Sequence, residues 1–345
     1  MLNRALLFIM ALCLGELLQK LHIPIPFLLG GMVTAILCKT FNRRPDLTWP
    51  KKWREYGLMV AGYGIGSTFN ASTWSNLVDE IAGVAEATVI IIGCSVLLAL
   101  ITARLAREDL KSCIWGMMPG GLTISMLIAE EDKSTNPNII VVMQIIRLFS
   151  VVLSVPFLVI IFLDAQVTGS SVAMPNHGGY HWLCLVPLSV LGGYIAGKIH
   201  MPTPNMLGPI LMTAVFSVAA GTLQPVPGVL MACAQVSIGL FMGLQLDAGR
   251  ISRTRNILPY IFIGTALMIA VSVFTAGILS QRYGFTLVTA FLAMAPGGIA
   301  EMSLAGMSMG EDVSIILTYQ LVRVLAINIF VPVLMKIFFR DGAEA

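Results

Sequence analysis

Five polar side chains stand where hydrocarbon is the expected surrounding. Gln144 and Arg147 interrupt the run "IIVVMQIIRLFSVVLSVPFLVIIFL", and Gln320 and Arg323 interrupt "IILTYQLVRVLAINIFVPVLM". Glu301 follows a Pro-Gly-Gly triplet in "APGGIAEMS". A Gln-x-x-Arg spacing places an amide and a guanidinium on one face of a helix. A buried guanidinium needs acceptors, and three kinds are available to it: carboxylates, the carbonyls at the C-terminus of a helix, or an anionic solute. A carboxylate at membrane depth is costly and points to a functional site, where it can hold a proton, a sodium ion or a cationic group. Its structural alternative is an ion pair with Arg323 that holds helices together.

The triplets themselves recur. Pro119–Gly120–Gly121 in "MPGGLTISM" is matched by Pro296–Gly297–Gly298, 177 residues later. Proline removes a backbone N–H and clashes with the preceding turn, and two glycines weaken the helix further. In lipid, the groups so released must be buried in protein or face a watery cavity. A broken helix also exposes half-helix termini, the N-terminal one carrying partial positive charge. Two such breaks in corresponding positions of two halves are a sequence pointer to a carrier's midplane site; a packing kink is the plainer reading. The candidate substrate- or ion-binding set is therefore Pro119, Gly120, Gly121, Gln144, Arg147, Pro296, Gly297, Gly298, Glu301, Gln320 and Arg323. Glu301 has no acidic counterpart, because Ile124 occupies the equivalent place.

The elements that must carry these residues are set by composition. Of 345 residues, 57% are apolar and 11% charged, against about 25% charged in a soluble domain. Apolar segments recur at roughly 5–21, 26–39, 56–72, 82–104, 112–129, 138–163, 183–199, 204–222, 229–246, 257–281, 287–309 and 313–338. A helix of about 20 residues crosses the hydrocarbon core. The expectation is an all-α polytopic membrane protein of about 10–12 spans. The segments are too long, and alternate too little, for a β-barrel. The first contains Glu16 and no small-residue cleavage site, so it reads as a retained span rather than a signal peptide.

Four blocks repeat in the same order. "IPIPFLLGGM" (23–32) pairs with "MPTPNMLGPI" (201–210), and "GYGIGSTF" (62–69) with "GLFMGLQL" (239–246). The two PGG blocks follow, then "QIIRLFSVVLSVP" (144–156) with "QLVRVLAINIFVP" (320–332). The offset stays between 176 and 178. The chain thus reads as a first membrane repeat (1–165), a Gly/Ser-rich linker (166–181) and a second membrane repeat (182–345). Lys39, Arg43, Arg44, Lys51, Lys52 and Arg54 cluster in the first half, where the second (222–228) has no charge. Conversely, Arg250, Arg253 and Arg255 follow "GLQLD", where the first half has Asp79 and Glu80. Charge that swaps sides between halves predicts inverted repeats. Inversion needs an odd number of crossings per half, so one of six segments must be re-entrant or too short to cross.

Other chemistries find little support. The six cysteines are scattered, with no CxxC pair and no histidine at metal spacing, so no metal site, cofactor or disulfide is expected. The four histidines are not clustered within a span, and HExxH, GxSxG and P-loop patterns are missing; the chain does not read as an enzyme. The net charge of +3 fits cationic loops beside a membrane, and no DNA-reading element implies a nucleic-acid partner. The partners expected are the lipid bilayer and a small-molecule or ion substrate. A homodimer is compatible with this architecture, although no sequence feature demands one.

With these blocks in view, the sequence resembles the AbrB-type bacterial membrane family, whose members consist of a duplicated hydrophobic domain. The likeness runs through "IPIPFLLGG", the PGG segments, "MGEDVSIILTYQLVR" and the late "VP". It implies a multi-pass protein of the bacterial inner membrane. Some members carry labels such as regulator or ammonia monooxygenase; no copper or iron ligand set supports the latter here. The order "FMGLQLD … PGGIAEMS … GED … P" is similar, over a shorter stretch, to the broken-helix region of bile-acid/sodium symporters and cation/proton antiporters. The polar Ser-Asn after PGG in such symporters is replaced by Ile299–Ala300–Glu301, which leaves the coupling ion open. The function expected is secondary transport of a small solute, anionic or zwitterionic because both halves carry a buried arginine. The alternative is a membrane-embedded regulator or sensor of gene expression.

Overall fold

A computed structural model describes residues 2–41, 47–69, 81–120, 134–163, 185–220, 225–246 and 248–338. The expected linker (166–181), Gly121, Ile124, Arg43, Arg44, Asp79, Glu80 and Asp247 lie outside the described residues. Among the described residues the protein is all α-helix. We number the helices α1 (Leu2–Lys20), α2 (Pro26–Phe41), α3 (Lys51–Gly66), α4 (Ile81–Ala106), α5 (Leu110–Met117), α6 (Pro137–Leu163) and α7 (Leu185–Lys198). There follow α8 (Pro204–Ala220), α9 (Gly228–Gln245), α10 (Ala248–Arg253), α11 (Leu258–Tyr283), α12 (Leu287–Met294), α13 (Ile299–Ser308) and α14 (Val313–Phe338). Five of them, α4, α6, α9, α11 and α14, are long and apolar enough to cross a membrane. The chain is an all-α polytopic membrane protein. Large apolar side chains such as Leu6, Ile9, Val89, Leu97, Phe262 and Phe274 are exposed on its helices, as expected where lipid rather than water is the neighbour.

Most helix ends fall within a few residues of the apolar segments. The exception with a clear cause is α3, which starts at Lys51 rather than near residue 56. Its first turn, Lys51–Lys52–Trp53–Arg54, is polar, and Pro50 stops the helix on its N-terminal side; an apolar criterion passes over such a turn. The segments 112–129 and 287–309 are not continuous helices. Helix α5 ends at Met117, and α12 is separated from α13 by residues 295–298.

The chain forms two compact units. One comprises Met1–Val78, Pro156–Ala248 and Ala300–Ser314; the other comprises Asp79–Val155, Gly249–Ile299 and Ile315–Ala345. The sequence repeats are cut across by these units: each unit takes corresponding segments from both halves.

The first unit is packed backbone to backbone. A Cβ on Gly31 would lie 2.7 Å from the Val236 carbonyl, and one on Gly243 2.5 Å from that of Met32, so α2 and α9 touch through their main chains. Helix α3 approaches α8 in the same way: a Cβ on Gly62 would meet the Met206 carbonyl at 2.6 Å. Gly192 and Gly208 seat α7 against α8, each occupying space the other's side chain would need. Such small-residue contacts are how helices associate where no hydrophobic drive exists between them. This accounts for the glycines of "PIPFLLGGM" and "FMGLQLD" as scaffold.

In the second unit, a core formed by Trp115, Met117, Met118, Ile140, Met143, Ile261 and Ile327 encloses α5 with parts of α6, α11 and α14. Helix α5 is buried from Ser112 to Met117, and α12 from Val288 to Met294.

Gly208→Ala is expected to lower stability by about 1–3 kcal/mol through overpacking. Gly197, on α7 in the same unit, has nothing within 4 Å of its would-be Cβ, and Gly197→Ala should be neutral or gain up to about 1 kcal/mol from helix propensity. Thermal unfolding of the two purified variants tests the contrast; equal midpoints would remove the close-packing account.

Candidate functional site

The two short helices of the second unit begin alike. Asp109 accepts a hydrogen bond from the Ser112 N–H at 2.8 Å, and Thr286, its repeat equivalent, accepts one from the Thr289 N–H at 3.0 Å. These are side-chain N-caps, which satisfy one orphan donor of each helix. They also end alike. Met118 and Ala295 turn to extended backbone (ψ 127° and 135°), each N–H bonding back four residues. Eight residues rise about 12 Å, well short of the ~30 Å hydrocarbon core. Each helix therefore stops inside the protein, with its last carbonyls turned away from water.

Those carbonyls are met by the Gln-x-x-Arg pairs. On α6, Gln144 Nε2 donates to the Trp115 carbonyl at 2.8 Å, and Arg147 Nη1 donates to those of Met117 at 2.8 Å and Gly116 at 3.2 Å. On α14, Gln320 Nε2 donates to the Leu292 and Ala295 carbonyls at 2.9 and 3.0 Å. Arg323 Nη1 donates to Met294 at 3.1 Å and Ala295 at 3.0 Å, and its Nη2 to Gly297 at 3.4 Å and to Gln320 Oε1. Ser272 of α11 adds a donor to the Met294 carbonyl at 3.2 Å. All four side chains of the two pairs are at most 4% exposed. The same sequence pair thus closes the same helix end in both halves.

The guanidinium is suited to this task. It is planar, fixed in charge and able to reach several acceptors at once. A helix C-terminus carries about half a negative charge, so each arginine is neutralised only in part by the carbonyls it caps. Both guanidinium groups keep one further donor: Nε of Arg147 and Nε of Arg323 are buried without a partner.

The triplets lie around these ends. Pro119 and Pro296 are buried, while Gly120, Gly297 and Gly298 are partly exposed. A Cβ on Gly120 would come within 2.9 Å of Ile327 on α14, so glycine there lets the first break lie against that helix.

Glu301 belongs to the first unit. It is 8% exposed and is the third residue of α13, where free backbone N–H groups and the helix dipole favour an anion. The cation whose charge reaches it is Arg54 on α3. Arg54 also lies over the Phe241 ring, 4.8 Å from its centroid. A second polar group lies two residues on: Ser303 Oγ is buried without a partner. Sequence reasoning singled out the arginines and the triplets but missed Arg54, Ser272 and the caps Asp109 and Thr286. The caps were findable, being 177 residues apart and opening corresponding apolar segments.

The fold and this pair of capped helix ends define a class: a duplicated, all-α membrane protein in which each half has a short helix that ends just before a Pro-Gly-Gly and is closed by a buried arginine. The chain belongs to the AbrB family, whose sequence profile, described as transition state regulatory protein AbrB, matches residues 27–339. It is similar to the YhjN protein of Bacillus subtilis (strain 168), with 28% identity over 340 residues, covering 92% of this chain and 88% of the relative. It is also similar to the protein named "Putative regulator AbrB" of Escherichia coli (strain K12), with 22% identity over 334 residues, covering 96% and 95% of the two chains.

Replacing Arg147 by Met removes the side-chain donor from two carbonyls, Gly116 and Met117, at about 1–3 kcal/mol each. Arg147→Met is expected to lose roughly 2–5 kcal/mol of stability on that basis. Arg323→Met should lose less, because Ser272 and Gln320 still donate to the Met294 and Ala295 carbonyls, and Lys, with its single ammonium, should restore only part. Arg104→Met, at an exposed position, should change stability by no more than about 0.5 kcal/mol. Denaturation monitored by tryptophan fluorescence would overturn the capping account if all of these variants behaved alike.

Proposed function

We propose that this protein is a secondary carrier in the bacterial inner membrane, moving a small anionic or zwitterionic solute by alternating access. The observation that carries the reading is the pair of buried arginines in one unit, each only partly neutralised by a helix end and each with an unpartnered Nε–H. A charged donor left without an acceptor away from water is costly, and an anion supplies what is lacking. The proposal includes inverted repeats, with the Pro-Gly-Gly breaks at the substrate path, and assigns no chemical transformation to the chain. Glu301, buried and in electrostatic reach of Arg54, is the group best suited to couple transport to a proton or a sodium ion.

The name of the Escherichia coli relative favours a second reading, a membrane-embedded regulator of gene expression without transport. The two are separable in liposomes. The carrier reading expects uptake of at least one member of a panel of small carboxylates, phosphates and amino acids, followed by radiolabel and by an internal pH dye. Glu301→Gln is expected to uncouple or abolish uptake, and Arg147→Lys to lower it at least about tenfold, the effect of losing one charge-assisted hydrogen bond of transition between states. Gly197→Ala should transport normally. Absence of any flux in protein whose unfolding midpoint is unaltered, or full uptake by both site variants, would move the assignment to the regulator.

A further inference from the structure

Away from the capped breaks, the first unit contains a cavity of about 420 Å³, within the range of small-molecule sites. It gathers the last turns of α1, the start of α2, the start of α9 and the end of α13. Its walls are largely apolar, with Phe27, Leu304 and Met307 among them, and four polar side chains stand in it, Glu16, Gln19, Gln235 and Ser308, the last donating its hydroxyl to the Ala305 carbonyl. Glu16 is one turn from the end of α1 and is exposed. Gln235 is two turns into α9, about 10 Å from the start of that helix. The Oε1 atom of Gln235 is buried with no hydrogen-bond partner. Among the described residues no Lys, Arg or His lines the cavity.

Each of these features constrains an occupant. A carboxylate with no cation beside it in the lining selects positive charge and repels an anion. An orphan amide oxygen selects a hydrogen-bond donor, because leaving it unmet is unfavourable. Apolar walls between the two select a hydrocarbon body. We propose that this cavity is a binding site for a small amphiphilic amine that carries an ammonium group for Glu16 and a second donor for Gln235. Its preference in charge is opposite to that of the arginine-capped breaks, so it is a separate site, and it stands whether or not the chain transports solutes.

Cys233 lines the cavity and is partly exposed as a free thiol, while Cys13 on α1 is exposed and outside the lining. Full-length protein in phosphatidylcholine nanodiscs is labelled with N-ethylmaleimide, and modification of each cysteine is followed by mass spectrometry. Aminohexanol is expected to slow labelling of Cys233 about fivefold when present at several times its dissociation constant, and to leave Cys13 unaffected. Hexylamine should protect more weakly, and hydroxyhexanoate, with the charge reversed, should not protect. Glu16→Gln and Gln235→Leu should each weaken protection by aminohexanol about fivefold, the contribution of one hydrogen bond. Hexylamine protection should respond to Glu16→Gln alone. Phosphatidylethanolamine protecting Cys233 in place of aminohexanol, with the same dependence on Glu16, would support the site and give its ammonium a lipid source. No protection by any amine, equal protection by hydroxyhexanoate, or aminohexanol protection unchanged in both variants would overturn the proposal.

Discussion

The second unit depends on one constraint: a helix that stops inside the protein, away from water, must find donors for its last carbonyls. Water satisfies helix ends in a soluble protein, but here α5 and α12 end among Trp115, Met117, Phe291 and Met294, all buried. The donors come instead from Gln144 and Arg147 in one half and from Gln320 and Arg323 in the other. A charged group is brought into the interior to satisfy neutral ones, and the helix dipole is what makes this tolerable. The Pro-Gly-Gly triplet and the Gln-x-x-Arg pair are two parts of one device. The first interrupts the helix, and the second makes the interruption stable, which explains why both are duplicated at nearly the same offset.

Duplication alone does not make the halves equal. Arg147 Nη1 meets the Gly116 and Met117 carbonyls, whereas Arg323 meets those of Met294 and Ala295 and extends to Gly297 beyond the break. The offset explains part of this, because the caps lie 177 residues apart and the arginines 176. That single residue places Arg147 on the carbonyls of 116 and 117, and Arg323 on those of 294 and 295. Glu301 then adds an acid to one half only.

The helical architecture, the duplication and the two breaks were legible in the sequence because hydrophobic length, proline and repetition all act through residue type. The partners of Arg147 and Arg323 were legible only as a class. Helix-end carbonyls are backbone atoms, and no residue letter marks them, so the sequence allowed solute, carboxylate and carbonyl together. The ion pair allowed for Glu301 with Arg323 illustrates the limit. Arg323 directs its Nη donors to carbonyls and Gln320, and the cation reaching Glu301 is Arg54. Arg54 was read as one of a cluster of loop charges, because the polar first turn of α3 hides the start of that helix. The cavity beside Gln235 was not legible, since it depends on four helix ends meeting and no motif specifies that.

The division into units gives the breaks a further meaning. The chain passes between the units five times, and two of these passages are at Val155–Pro156 and Ile299–Ala300. At Pro156 the helix continues without one backbone donor, while residues 295–298 are already non-helical. These two crossings lie at or beside an interruption of helix hydrogen bonding, whereas those at Ala248–Gly249 and Ser314–Ile315 fall in the first turns of α10 and α14; Pro332, the repeat partner of Pro156, lies within the second unit. The first unit, joined through glycine contacts such as Gly31 on Val236 and Gly62 on Met206, has little freedom to deform, because backbone surfaces in contact have no side chain that can change rotamer. Under the proposed carrier reading, the segment after Ala295, held at one end by Arg323, is where a solute competing for that guanidinium would act.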